Sequence, residues 1–141
     1  MDPDPDSGTL SDLLGITGYE HPEDGIARAR LPVTGSVLQP YGIVHGGAYS
    51  ALAETVVSRA TWEVVRPEKL AMGQSNDTAF LRPVTEGEIK AESRALHAGR
   101  TTWIWDTEMR DDEGRLCAIS RTTIAVRPAP PDPAVSDRTD S

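Results

Sequence analysis

Along this chain the apolar positions alternate, then recur at helical spacing, then alternate again. Ile26 to Val33 puts Ile26, Arg28 and Arg30 on one face and Ala27, Ala29 and Leu31 on the other, which predicts a first strand. A loop with Gly35, Pro40 and Gly42 follows. From about His45 to Val65, Ala48, Ala51, Leu52, Thr55, Val56 and Arg59 recur at i, i+3, i+4 spacing, while Ala53, Val57, Ala60 and Val64 fill other faces. A helix apolar most of the way round is a buried one. After Pro67 the pattern predicts four strands: Leu70 to Leu81, the strictly alternating Glu88 to Ala95, Thr101 to Arg110, and the β-branched Leu116 to Val126. Asp111 to Gly114 is a turn signal of the hairpin kind. The order predicts an α+β fold, one antiparallel five-stranded sheet wrapped around a single long central helix. Trp103, Trp105, Thr107 and Met109 share one face of their strand, which suggests that oligomerisation covers part of the sheet.

Composition narrows this picture. At 141 residues one domain is expected, and no apolar run is long enough to span a membrane. Met1 to Asp6 has neither the basic nor the apolar region of a secretory signal, and a lone Cys117 forms no internal disulfide, so the expected location is cytoplasmic. The net charge of −8 argues against nucleic acid as a partner. That charge belongs mostly to the ends. Residues 1–24 carry seven acids and no Lys or Arg, whereas residues 25–127 carry 12 acids and 13 bases. The expected plan is an acidic tail over 1–24 with a short helix at Thr9 to Leu14 (Ser11 as a possible cap), a folded domain over 25–127, and a Pro-rich tail over 128–141.

One residue stands out chemically. From Leu31 to Ser58 the only formally charged side chain is Glu54, inside the helix expected to be buried. A carboxylate there needs a partner, such as a buried Arg, or a use, unless the helix turns that face outward. At the start of the same helix, His45-Gly46-Gly47 bares a helix N-terminus whose unpaired N–H groups can hold a developing oxyanion; a permissive Gly-Gly turn is the plain alternative. Gly46 and Glu54 are eight residues apart, about 12 Å along a helix. One acyl carbon cannot touch both in one chain. If both serve one reaction, two helices must run antiparallel across a two-fold dimer.

The stretch from Gln39 to Ser58 resembles the signature of hotdog-fold acyl-CoA thioesterases, of the phenylacetate-degradation and Arthrobacter-type 4-hydroxybenzoyl-CoA group, and is also similar to 1,4-dihydroxy-2-naphthoyl-CoA thioesterases. Phe80 to Val84, Gly87, Leu96 to Arg100 and Asp112 to Leu116 match as well. The resemblance implies hydrolysis of an acyl-CoA without metal or other cofactor, by homodimers that often pair into homotetramers, with active sites at the dimer interface. It makes Glu54 the nucleophile or general base and the Gly46 amide the group that polarises the thioester carbonyl. Gln39 and His45 orient that carbonyl, and Ser58, one turn after Glu54, holds Glu54 or the water. Gly47, Arg82, His97, Gly99, Arg100 and Thr101 then fall to substrate and coenzyme A binding, Arg100 as a phosphate contact.

Each assignment has a structural counterpart. Gln39 can cap the loop, His45 can bond to backbone, Ser58 can bond back to the carbonyl of Glu54, and His97 and Arg100 can be solvated turn residues. Cys117 reads as a small core residue, and the three tryptophans as packing. Two other functions fit the same fold. A hotdog dehydratase or hydratase would use His45 and Glu54 on a β-hydroxyacyl chain, and an acyl-CoA-binding module would use neither.

Overall fold

The computed structural model describes residues 8–131. The acidic run before Gly8 and the residues after Pro131, both expected as tails, lie outside the described residues. The helix of the middle region is α2 (Gly46–Val65), 20 residues and about 30 Å long. It ends where Pro67 disfavours a helical conformation at Arg66, whose ψ is 158°. The strands are β1 (Thr17–Glu23), β2 (Ile26–Pro32), β3 (Lys69–Phe80), β4 (Glu88–Ala98), β5 (Thr102–Arg110) and β6 (Leu116–Pro128). They form one antiparallel sheet in the order β1-β2-β4-β5-β6-β3.

The sheet therefore has six strands, not five. The extra one, β1, lies within residues 1–24. It escapes an alternation search because its sequence, Thr17 to Glu23, does not alternate apolar and polar residues, and as an edge strand its register to β2 shifts twice. A local signal does mark it. Asp24-Gly25 is a two-residue hairpin loop between the paired Glu23 and Ile26, and both loop residues have positive φ, 54° and 72°. Asp-Gly is the pair that such a turn favours. The short helix α1 (Leu10–Leu14) is present, but its cap is Thr9, whose hydroxyl accepts from the Asp12 N–H, and not Ser11.

The core lies between α2 and the concave face of the sheet. Leu52, Ala53, Val56 and Val57 of α2 meet Ala27, Ala29 and Leu31 of β2 and Ile89 and Ala91 of β4. Fully burying a side chain such as Leu52 contributes roughly 1.5–3 kcal/mol. The tryptophan face of β5 belongs to this core. Trp105, Thr107 and Met109 are buried under α2, so no partner is needed to cover them. The outer face is charged instead: Arg28 pairs with Glu20 and Glu92, both at 3.0 Å, and Arg121 grips Asp106 with two hydrogen bonds. That grip holds the Asp106 carboxyl below its ordinary pKa.

Two buried hydroxyls on α2 have opposite circumstances. Thr61 donates to the Val57 carbonyl at 2.7 Å and accepts from the Trp105 indole at 2.9 Å. Tyr49, by contrast, has a buried hydroxyl without a hydrogen-bond partner among the described residues, and burial pushes its phenol up to about 12. Removing the first strands an indole N–H, whereas removing the second relieves an unmet donor. Thr61→Val is expected to lose about 1–3 kcal/mol. Tyr49→Phe is expected to leave stability unchanged or raise it, both read by urea unfolding at fixed protein concentration.

Candidate active site

The loop before α2 folds back on itself, with the Gln39 N–H donating to the Ile43 carbonyl at 2.8 Å and the Gly42 N–H to the Gln39 carbonyl at 2.9 Å. Gly42 closes this turn at φ 81°, a conformation that costs glycine little. The His45 N–H donates to the Val37 carbonyl, which brings Gln39 and His45 to the start of α2. His45 is the N-cap: its Nδ1 accepts from the Gly47 N–H at 2.8 Å. Nδ1 therefore carries no proton, and the Nε2 side of the ring is the side left to donate.

This cap settles which backbone groups at the helix start are available. The Gly47 N–H is taken by the His45 ring and the Ala48 N–H by the His45 carbonyl at 2.9 Å. Among the described residues the Gly46 N–H has no partner. A Cβ at Gly46 would sit 2.8 Å from Cζ of Phe80, so the strand end packs where a side chain would stand. The helix dipole adds partial positive charge at the same place.

Glu54 lies two turns further on and is exposed along one flank of α2, not enclosed in the core. No buried Arg pairs with it among the described residues. What it does have is a polar seat on β3. Gly73 lies under its carboxyl: a Cβ there would come within 2.7 Å of Cδ and 2.8 Å of Oε2. Asn76 donates from Nδ2 to the Ser50 carbonyl at 3.0 Å and to Glu54 Oε1 at 3.4 Å. Its Oδ1 accepts from Thr78 Oγ1 at 2.6 Å and Ser120 Oγ at 3.3 Å, which fixes the amide. A bulge makes this possible. Gly73 pairs with Ile124 and Ser75 with Thr123, leaving Gln74 as the extra residue. Gly73 thus faces inward before the bulge, and Asn76 and Thr78 face inward after it. Simple alternation through Leu70 to Leu81 hides Asn76 for that reason.

A cavity of about 520 Å³ opens beside Glu54. Its floor is the α2 stripe of Thr55, Ser58 and Trp62, and Leu70 to Met72 of β3 form one wall. Thr9, Ser11 and Tyr19 form the opposite wall, so the segment before Gly25 borders the cavity. Ser58 shares the cavity with Glu54, yet its hydroxyl bonds neither to Glu54 nor back to the helix among the described residues. His45 and Gly47 border a separate, smaller cavity of about 220 Å³ with Leu10 and Leu14. One chain therefore brings Gln39, His45 and Gly46 together, and Glu54 and Ser58 together, but not the two groups to each other.

The remaining candidates divide between the two ends of β3. Past its far end, the Leu81 and Arg82 N–H groups both donate to the Cys117 carbonyl, and burial raises the Cys117 thiol. Near its beginning is the β4–β5 turn with His97, Gly99, Arg100 and Thr101. There the Gly99 N–H donates to the Thr102 carbonyl, leaving no room for a Cβ. The turn carbonyls draw in two cations the sequence pattern did not suggest: Lys69 donates to the Arg100 carbonyl at 3.2 Å and Arg127 to the Thr101 carbonyl at 2.7 Å. Eleven strand steps of roughly 3.3 Å separate this basic turn from the Arg82 end. No three His, Cys, Asp or Glu side chains are arranged to hold a metal, and no helix is long and apolar enough to cross a membrane, among the described residues.

The family model of the thioesterase superfamily matches residues 41–118. The chain is 38% identical to the proofreading thioesterase EntH of Klebsiella pneumoniae, over 84% of this chain and 85% of that protein. The crystal structure of thioesterase HI1161 from Haemophilus influenzae superposes with a TM-score of 0.81 at 32% identity, covering 87% of this chain and 85% of that one. The hypothetical protein SAV0944 from Staphylococcus aureus, solved as a glutamate-to-alanine mutant, gives 0.81 at 29% identity over 86% of this chain and 100% of that one. The same protein was also solved with a glutamine, fifteen residues earlier, replaced by alanine. With its long helix wrapped by an antiparallel sheet, this chain belongs to the thioesterase superfamily and is a hotdog-fold thioester hydrolase.

Proposed function

We propose that the chain hydrolyses an acyl- or aryl-CoA thioester to the free acid and CoA, at two sites shared across a two-fold dimer. The observation that carries this reading is the amide at the helix start, Gly46, that alone is unpaired there among the described residues. Glu54 of the same chain is about 12 Å along the helix, too far for one carbonyl carbon. Glu54 of a second, antiparallel α2 is not so constrained. The twelve-residue edge of β3, with Met72, Phe80 and Leu81 exposed, is where we place the contact between copies. Antiparallel apposition there also sets the basic turn of one copy beside Arg82 of the other, which gives one coenzyme A both sets of cations. In SAV0944 the substituted glutamine and glutamate are fifteen residues apart, the spacing of Gln39 and Glu54.

In this reading the Gly46 N–H and the helix dipole stabilise the oxyanion, with His45 Nε2 and Gln39 beside the carbonyl. Glu54 acts as general base or as nucleophile. As base it takes a proton from water, whose oxygen bonds to the carbonyl carbon. The C–S bond breaks and the sulfur leaves with the proton. Asn76 aims the carboxylate, and Ser58 holds the water or Glu54. A dehydratase would have the same acid and imidazole but no use for a reserved amide at the carbonyl, and a binding module would not need a carboxylate held on its own strand platform.

Glu54→Gln is expected to lower kcat by two or more orders of magnitude with binding of the CoA product kept, followed by thiol release; an unchanged rate overturns the assignment. Pro is tolerated at the first helical position and deletes the N–H, whereas Ala keeps it, so Gly46→Pro should turn over about 10²–10³-fold more slowly than Gly46→Ala. Mixing inactive Glu54→Gln and Gly46→Pro chains after unfolding and refolding should restore about a quarter of wild-type activity, because half the dimers then contain one intact site. No recovery means a site within one chain. Gly73→Ala displaces only the tip of Glu54. It should fold with a near-wild-type Tm yet lose at least tenfold in kcat.

A further inference from the structure

The cavity beside Glu54 has a charge of the opposite sign on its other flank. At 3.6 residues per turn, Thr55, Ser58 and Trp62 form a stripe with Glu54 to one side and Arg59 to the other, about 7.5 Å further along the axis. Arg59 is the only Lys or Arg bordering the cavity among the described residues. Its guanidinium lies 4.1 Å from the centroid of the Tyr19 ring, a contact that holds the head group at the cavity. Glu63, one turn on, makes an i,i+4 ion pair with Arg59, its Oε1 3.6 Å from Arg59 Nε. Hydroxyls of Thr9 and Ser11 stand on the same side, while Trp62, Leu70 and Met72 make the rest of the lining apolar.

Resting on the thioesterase reading, we propose that this cavity takes acyl groups with a carboxylate several bonds from the thioester, ω-carboxyacyl or carboxyaryl thioesters, and that Arg59 selects them. A guanidinium has five N–H donors, so one held by Tyr19 and Glu63 in a mainly apolar pocket can still form charge-assisted bonds with a substrate carboxylate. A plain alkyl chain would make no such bond. The geometry also keeps like charges apart, because the substrate carboxylate meets Arg59 on the flank away from Glu54. The N-terminal segment takes part in recognition through Tyr19, which positions Arg59.

The test compares kcat/KM for two thioesters matched in length, hexanoyl-CoA and adipoyl-CoA, using the full chain. Wild type is expected to favour adipoyl-CoA at least tenfold. Arg59→Met should reduce that ratio tenfold or more, chiefly through KM for adipoyl-CoA, and Arg59→Lys should retain part of the preference. Circular dichroism of both variants checks that the fold is kept. A wild type that prefers hexanoyl-CoA, or a ratio that Arg59→Met leaves unmoved, overturns the selection while leaving the thioesterase reading intact. Wild type that hydrolyses benzoyl-CoA but neither of these two also overturns the selection, whereas no turnover of all three overturns the acyl- or aryl-CoA reading.

Discussion

The wrapping of a sheet around α2 constrains everything else in this molecule. A helix enclosed on most of its circumference must be apolar on most of it, and Leu52, Ala53, Val56, Val57 and Ala60 meet that requirement. Only the strip beyond the sheet's reach can hold polar groups without a desolvation cost of several kcal/mol. Glu54, Ser58 and Arg59 occupy that strip and its margins. These polar side chains are confined to the one part of the helix that the fold leaves open.

The same constraint orders the polar contacts around the strip. β3 closes the sheet on one side, and its bulge at Gln74 changes which residues face the helix, from Gly73 to Asn76 and Thr78. Gly73 makes room for the carboxyl of Glu54, and Asn76, itself fixed by Thr78 and Ser120, gives it a donor. At the other end of α2 the His45 ring and carbonyl use two of the first amides and leave one. The free amide and the seated carboxylate thus sit on one rigid element at a separation fixed by helical rise, the constraint that the proposed second copy answers.

Much of the fold was legible because its periodicities are strong. The alternation of Ile26 to Val33 and Glu88 to Ala95, and the all-round apolarity of the helix, follow from burial that any packing would demand. β1 was harder to see. An edge strand with Gly18 and Pro22 carries little alternation, and only the Asp24-Gly25 turn betrays it. The tryptophan face was read as a surface in need of a partner because a strand's two faces look alike until it is known which one meets the helix. Trp105, tied to Thr61, faces inward.

The sequence by itself determined the singular acid in an uncharged stretch, the bare helix start, and the distance between them, since rise per residue is a local property. It could not determine that Glu54 is exposed, that Asn76 reaches it, or that the segment around Tyr19 walls the cavity. Those depend on which strands lie next to α2 and on a single extra residue in β3, and such relations exist only once distant parts of the chain have packed together.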